Sequence, residues 1–243
     1  MNQTMPSNPN RPRWLNALGL ITLALFGVGA YLSLVVSPPD VNQGQLIRIM
    51  YAHVSVAWVC FLAVIASAVF GMLFLWRGRK IHDVLAVASA ESALFFAGLT
   101  IIGGMTYSKP TLNTYWTWDA KLTLTALLFA LLVGYFIVRG LLEDPQRRGR
   151  VSAVIGIIVL ASLPFNYLAA EWFRTLHPAK SINLDGSGVQ MDPTMLQVLL
   201  FNVGVAAFAF LYFLFERVRI GRIEIAREEA LEAPSGSAEV VRV

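Results

Sequence analysis

Long apolar stretches separated by short polar segments dominate the chain. Six of these stretches are long enough for an α-helix to cross a bilayer, which takes roughly 17–25 residues. None alternates between apolar and polar residues as the strands of a membrane barrel do. We therefore predict an all-α integral membrane protein with six transmembrane helices, at residues 15–36, 49–75, 84–107, 122–138, 151–170 and 195–215.

The polar segments define the remaining organisation. We expect residues 1–14 to form an N-terminal segment, residues 15–215 the membrane domain, and residues 216–243 a charged tail. The tail is predicted to begin as a solvated helical extension and to become disordered around residues 234–237. The first apolar stretch is longer than the core of a usual signal peptide and lacks a good cleavage site after Val36, so we expect it to be retained.

Composition supports the membrane interpretation. Hydrophobic residues make up 56% of the chain and charged residues only 14%, which is too apolar for an ordinary soluble domain. Cys60 is the single cysteine, so neither an internal disulfide nor a paired-cysteine metal site or haem-attachment motif can form.

Basic residues divide unequally between the two sides of the predicted membrane domain. Fourteen of the nineteen Lys and Arg residues fall on the side of both termini, and five fall in the loops at residues 37–48, 108–121 and 171–194. Loops rich in Lys and Arg remain in the cytoplasm, so we predict that both termini are cytoplasmic and that these three loops face outward. The net charge of +4 then indicates topology and contact with the lipid bilayer, and we expect no nucleic-acid partner.

The predicted outer loops gather most of the residues that suggest chemistry. Indole rings offer an apolar surface, imidazoles are common axial ligands of haem iron, and cations pair with propionates. Taken singly, each has an ordinary alternative: an interfacial anchor, a hydrogen-bonded histidine or a contact to lipid phosphate. Together they predict a haem site that contains Trp116, Trp118, Trp172, His53, His177, Arg48, Lys121 and Arg174.

Three other polar residues leave alternatives open. Asp119 precedes the fourth span, where it could cap the helix, orient a histidine, or do both. Glu91 lies within the third span; it is either a functional group or a packing residue, with Asn166 or Thr100 as the expected partner. His82 lies in a short cytoplasmic loop, and we expect it to be solvated or to face lipid.

Three separated segments, in order, resemble one known family. Residues 109–111 (KPT) and 115–123 (YWTWDAKLT) resemble the tryptophan-rich WWD signature of a haem-handling superfamily. Residues 48–54 (RIMYAHV) and 171–177 (EWFRTLH) are similar to the CcmC family of cytochrome c maturation. The resemblance extends from about residue 48 to residue 182.

This resemblance implies a function for the predicted site. His53 and His177 would be the axial ligands of haem b, which is held non-covalently as transient cargo over a platform of Tyr115, Trp116, Trp118 and Asp119. The platform would also form the edge at which a partner docks. The family works at the periplasmic face of the bacterial inner membrane, where it presents haem for attachment to the haem chaperone CcmE, beside ABC transporter subunits and a small single-span helper. Such chaperone loading differs from the activity of a metabolic enzyme.

The chain also departs from the family pattern. Leu112 and Asn113 occupy the positions of a usual Trp-Gly pair, Tyr115 replaces a third tryptophan, and Ser55 replaces a proline that often follows the first histidine. These changes predict a smaller platform with both ligands retained. The alternatives are a permease subunit that exports haem or another substrate with an ABC transporter, a cytochrome c synthase subunit, and an assembly scaffold.

Overall fold

The computed structural model describes residues 11–177 and 191–232 of the chain. Two short turns join the main helices: a π-helical turn, Leu32–Val36, continues the first helix, and a 3-10 turn, Gln45–Ile47, leads into the second. Every main helix is long and apolar enough to cross a membrane, which confirms the predicted all-α membrane fold. The helices are α1 (Arg13–Tyr31), α2 (Arg48–Arg77), α3 (Lys80–Leu112), α4 (Ala120–Gly140), α5 (Pro145–Trp172) and α6 (Pro193–Glu232).

The helices extend beyond the apolar stretches from which they were predicted. α3 continues through Pro110 to Leu112, so the second predicted loop is shorter than expected. α6 continues into the predicted tail as far as Glu232, and ion pairs such as that between Arg219 and Glu216, three residues apart on the helix, support the extension. Three predicted features lie outside the described residues: the N-terminal part of the 1–14 segment, the disorder around 234–237, and most of the third loop, including Lys180.

Four helices form a closed ring of neighbours. α2 packs against α3 and α5, and α4 packs against the same two helices from the other side. Small residues allow this close approach: Ala63 of α2 and Ala93 of α3 are fully buried, and a Cβ at Gly71 of α2 would lie only 3.2 Å from the Cα of Ala153 in α5. α6 packs against α2 and α3 outside this ring, and α1 packs against α6.

The bundle has two ends, which we name for their residues. The histidine end contains His53 and His177, and the arginine end contains Arg139 and Arg217. At the arginine end, Arg139 donates to both carboxylate oxygens of Asp83, at 2.9 and 2.7 Å, and to the hydroxyl of Ser152 at 3.1 Å. These bonds join α3, α4 and α5. The pair is largely buried, with side-chain exposures of 14% and 17%.

The expectation that His82, at the arginine end, is solvated or faces lipid was wrong. His82 is buried, and its Nδ1 atom lies 3.2 Å from the carbonyl oxygen of Leu73. Gly78, in the left-handed conformation at φ 65°, ends α2 and folds the start of α3 back against it. The sequence places His82 in a loop and gives no sign of this close return.

The expectation that Glu91 pairs with Asn166 or Thr100 was also wrong. Its carboxylate lies 2.5 Å from Nε of Arg217 on α6, while Thr100 donates to its own helix and Asn166 bonds with α4. Glu91 therefore joins α3 to α6. Arg217 is 126 residues away, in a segment predicted to be a solvated tail, so the sequence did not suggest the pair.

Candidate functional site

The two histidines of the predicted haem site come together at the histidine end. His53 lies in the second turn of α2, and His177 follows the end of α5. Their ring centroids are 6.5 Å apart, with 45° between the ring planes. They are 124 positions apart in sequence, so the helical bundle alone brings them to one place.

The loop between α3 and α4, residues 113–119, contains Trp116 and Trp118 and is named the tryptophan loop. Asp119 connects this loop to the segment that carries His177. One carboxylate oxygen accepts from the backbone N–H of Leu122 at 3.0 Å and caps α4. The other accepts from the N–H of Leu176 at 3.1 Å and from the hydroxyl of Thr117 at 3.2 Å. Asp119 thus caps the helix and also holds the backbone directly before His177.

The same hydrogen bonds determine the ionisation of Asp119. Partial burial by itself raises the pKa of this carboxyl, but hydrogen bonds from Leu122, Thr175, Leu176 and Thr117 outweigh burial and lower the pKa below its ordinary value. Asp119 is therefore a carboxylate at neutral pH, and its hydrogen bonds are charge-assisted.

A cavity of about 960 Å³ opens beside the histidine pair. Its wall is mostly apolar and comes from α2 to α6 and from the loop before α2. It reaches down to Cys60 and Leu128 in the bundle core. Small-molecule sites measure roughly 300–1,000 Å³, so this cavity is large enough for a large planar ligand.

The aromatic residues of the predicted platform divide into two groups. Tyr115 and Trp116 line the cavity, whereas Trp118 and Trp172 are not part of its wall and are 77% and 55% exposed. The indoles of Trp116 and Trp118 meet edge to face, with centroids 5.5 Å apart and planes at 77°, an arrangement that ring quadrupoles favour. The two indoles therefore do not form one flat platform.

The three predicted cations also differ in position. Lys121 lines the cavity and donates to the carbonyl and side-chain oxygens of Asn166, at 2.7 and 3.1 Å. Arg174 is exposed and lies outside the cavity wall, and Arg48 is half-buried and also outside it. Of the three, only Lys121 faces the cavity.

Sequence reasoning missed several residues of this site. Asp40 and Asp192 line the side of the cavity formed by the loop before α2 and the start of α6, but each looked like an ordinary loop residue. Gly103 and Gly104 lie against His53; two adjacent glycines inside a predicted span are the sequence signal of this close approach.

The donor set suits haem. Two bonds of about 2.0 Å, the distance between imidazole nitrogen and a metal such as zinc, separate the coordinating nitrogens by about 4 Å. Ring centres lie farther apart than the nitrogens, so the observed 6.5 Å is compatible with one metal between the rings. The Nε1 atom of Trp116 is buried without a hydrogen-bond partner among the described residues, as expected where a ligand completes a site.

Comparison with known proteins shows the family of the chain. The model of the family described as heme exporter protein C matches residues 7–233, nearly the whole chain. The chain belongs to the heme exporter protein C family. The match includes both histidines, the tryptophan loop and all six helices.

Individual relatives of the heme exporter protein C family extend over most of the chain. Heme exporter protein C of Bradyrhizobium diazoefficiens is 34% identical over 208 residues, which cover 81% of this chain and 78% of the relative. A ccmC-like mitochondrial protein of cytochrome c biosynthesis from Marchantia polymorpha is 32% identical and covers 77% and 78%. Heme exporter protein C of Haemophilus influenzae is 30% identical and covers 86% and 84%.

Proposed function

We propose that this protein binds haem b non-covalently between His53 and His177 and presents it for attachment to the haem chaperone CcmE. The observation that carries the proposal is the pair of imidazoles, 6.5 Å apart, beside a largely apolar cavity of about 960 Å³. The matching family and the names of its bacterial and mitochondrial members support haem handling in cytochrome c maturation.

Several residues of the predicted site have a proposed task. The two imidazoles ligate the iron, and Tyr115 and Trp116 contact the macrocycle. Lys121 gives the cavity wall a positive charge that favours a haem propionate. Arg48 and Arg174 lie outside the wall, and we assign them to parts of the haem or of the partner that project beyond it. The protein supplies binding and orientation, and the haem supplies its own chemistry.

Trp118 and Trp172 are proposed to form the docking edge for the chaperone. Both are more than half exposed and neither lines the cavity, and large exposed aromatics are typical anchors of protein interfaces. Trp118→Ala should reduce haem transfer to purified CcmE at least about fivefold with haem binding unchanged. Equal transfer by the variant and the wild type would remove Trp118 from the docking edge.

The histidine end is proposed to face the periplasm, with both termini in the cytoplasm of a bacterial cell. The excess of Lys and Arg at the arginine end supports this orientation. In a Cys60→Ala background, Val41→Cys places a thiol at a fully exposed position of the histidine end, and Gln146→Cys places one at the other end. An impermeant thiol reagent should label only Val41→Cys in cells with a permeabilised outer membrane. Labelling of Gln146→Cys alone would reverse the orientation.

Further partners follow from the resemblance to CcmC. We propose that the protein acts beside ABC transporter subunits and a small single-span helper, because the family is described as a heme exporter. Affinity purification of the full chain from gentle detergent should recover an ATP-binding subunit. Recovery of the haem-loaded chain without one, at native expression levels, would contradict this assembly.

An absorption spectrum tests the proposed site. The protein purified from haem-replete cells should show a Soret band with low-spin features, and the His53→Ala/His177→Ala double variant should lose it. His82→Gln is the matched control, because this third histidine lies at the other end of the bundle and should leave the spectrum unchanged. A double variant with the wild-type spectrum would refute the site.

A further inference from the structure

His53 packs against two adjacent glycines of α3. A Cβ atom at Gly103 would lie 3.2 Å from Nδ1 of His53, and one at Gly104 would lie 3.1 Å from Cε1 of the same ring. Both distances are tighter than nine in ten real Cβ contacts, so a side chain there would make the imidazole move by a few tenths of an ångström. The Nδ1–Cε1 edge of the imidazole therefore lies directly on the α3 backbone, in space that a side chain at either position would occupy.

The two glycines are unfavourable for the helix that contains them. Glycine destabilises a helix interior relative to alanine because it loses more conformational freedom on folding. Gly103 and Gly104 lie inside the 33-residue helix α3, away from any turn, and neither has the left-handed conformation that requires glycine. Clearance for His53 is the feature of the structure that accounts for both of them.

The position of the ring depends on this packing. The buried Nδ1 atom of His53 makes no hydrogen bond of regular geometry with the described residues, and the backbone of Thr100 in α3 is its hydrogen-bonding neighbour. A ligating histidine is usually oriented by a hydrogen bond from its other ring nitrogen to a carboxylate, carbonyl or water. Here the ring edge lies against α3, where it meets the backbone of Thr100 and the surface of the two glycines.

We propose that Gly103 and Gly104 are positioning residues for His53: they hold its Nδ1–Cε1 edge and leave Nε2 as the nitrogen that ligates the iron. This inference rests on the proposed haem site. It adds that the ligand nitrogen is selected by contact between two helices, α2 and α3, in which the two glycines let the ring reach the α3 backbone. Small displacements of such a residue are costly, because sites tolerate only about 0.5 Å of misplacement.

The glycines allow a controlled test on one helix. Gly103→Ala is the main variant because Gly103 touches His53 but is not part of the cavity wall, so the added methyl group cannot obstruct haem. Gly104→Ala moves the ring and also adds a methyl group to the wall. Gly98→Ala is the control, since its Cβ would meet only Phe129 at an ordinary 3.7 Å. All three substitutions favour the helix, so misfolding is not expected.

The measurement is the spin state and affinity of bound haem, by absorption and electron paramagnetic resonance of the purified full chain. Gly98→Ala should match the wild type, whereas Gly103→Ala should convert low-spin haem to high-spin haem and weaken retention about tenfold. Low-spin haem of wild-type affinity in Gly103→Ala would overturn the inference. His53→Ala is measured beside it: an unchanged spectrum there would refute the haem site itself and the inference with it.

Discussion

The two ends of the helical bundle differ in the pairing of their polar groups and in the size of the space between their helices. At the arginine end, Arg139–Asp83 and Arg217–Glu91 join neighbouring helices through charged pairs, and a pocket beside them measures about 380 Å³. At the histidine end, the cavity is more than twice as large, and Nε1 of Trp116, which lines that cavity, is buried without a partner among the described residues. The difference indicates that one end fixes the helices so that the other can remain open for a ligand.

The separation of tasks is not absolute. Arg148 at the arginine end also has a buried Nε atom without a partner in the described part of the chain. Conversely, Asp119 at the histidine end has a structural role, because it accepts hydrogen bonds that stabilise the start of α4 and the segment before His177. Substitutions that disrupt one end at a time show how far the two tasks are independent.

The largest expected effect on stability comes from the arginine end. Arg139→Met leaves Asp83 without its partner. The substitution should lower the free energy of unfolding by about 2–4 kcal/mol, because removal of one member of a largely buried pair leaves a buried charge uncompensated. Thermal unfolding in detergent measures this. The haem spectrum at low temperature should be unchanged. The double variant Asp83→Asn/Arg139→Gln should recover part of the loss, and equal stability of Arg139→Met and the wild type would contradict the structural task of this end.

The next largest effect separates capping from ligand positioning. Asp119→Ala removes the cap of α4 and the bond to the segment before His177, so it should cost about 1 kcal/mol of stability and weaken haem binding about tenfold. Asp144→Ala is a matched control: Asp144 caps α5 by accepting from Arg147 at 2.6 Å, at the end of the bundle opposite the proposed haem site.

Haem titration and thermal unfolding of both variants distinguish the two roles. Asp144→Ala should lose similar stability and keep wild-type affinity. A similar loss of haem affinity in both variants would mean that Asp119 acts only through helix stability.

A smaller effect follows from the lowered pKa of Asp119. A carboxyl whose pKa is lower in the folded protein stabilises the fold above its unfolded pKa, near 4, and loses that contribution as pH falls through the lowered value. The stability advantage of the wild type over Asp119→Asn should therefore be constant from pH 7 to pH 5 and should shrink below about pH 4. An advantage that grows on acidification would show that the neutral acid is the stabilising form.

The smallest effect compares two neighbouring indoles. Trp116 lines the cavity, whereas Trp118 is largely exposed outside it. Trp116→Ala should weaken haem binding several-fold through lost apolar contact, and Trp118→Ala should change it less than about twofold. Titration of the two purified variants with haem measures this ratio. Equal losses would restore the single platform that the sequence suggested.

The sequence predicted the helices well and their contacts poorly. Apolar length alone identifies the six spans because backbone groups in lipid must be satisfied within each helix. The charged turns that lengthen α6 and the pair between Glu91 and Arg217 depend on which helices meet, and no local pattern reports that. His82 was misjudged for the same reason, since its burial depends on how α3 returns against α2.

The candidate site shows the same limit. The pattern of aromatic, imidazole and basic residues indicated which residue types to expect at the histidine end, and the structure brings His53 and His177 together there. The sequence pattern could not show that Lys121 alone of the three cations faces the cavity, or that the rings of Trp116 and Trp118 lie nearly perpendicular. Those facts depend on side-chain direction at the ends of helices, where the apolar periodicity that guides sequence interpretation ends.

The most direct test of the account is whether one haem iron carries both histidines. Electron paramagnetic resonance and magnetic circular dichroism of the haem-loaded protein should give a low-spin signal with two imidazole ligands. His53→Ala and His177→Ala, each made alone, should both give a high-spin signal from iron with one imidazole. A low-spin signal with two imidazoles that persists in either single variant would contradict the account.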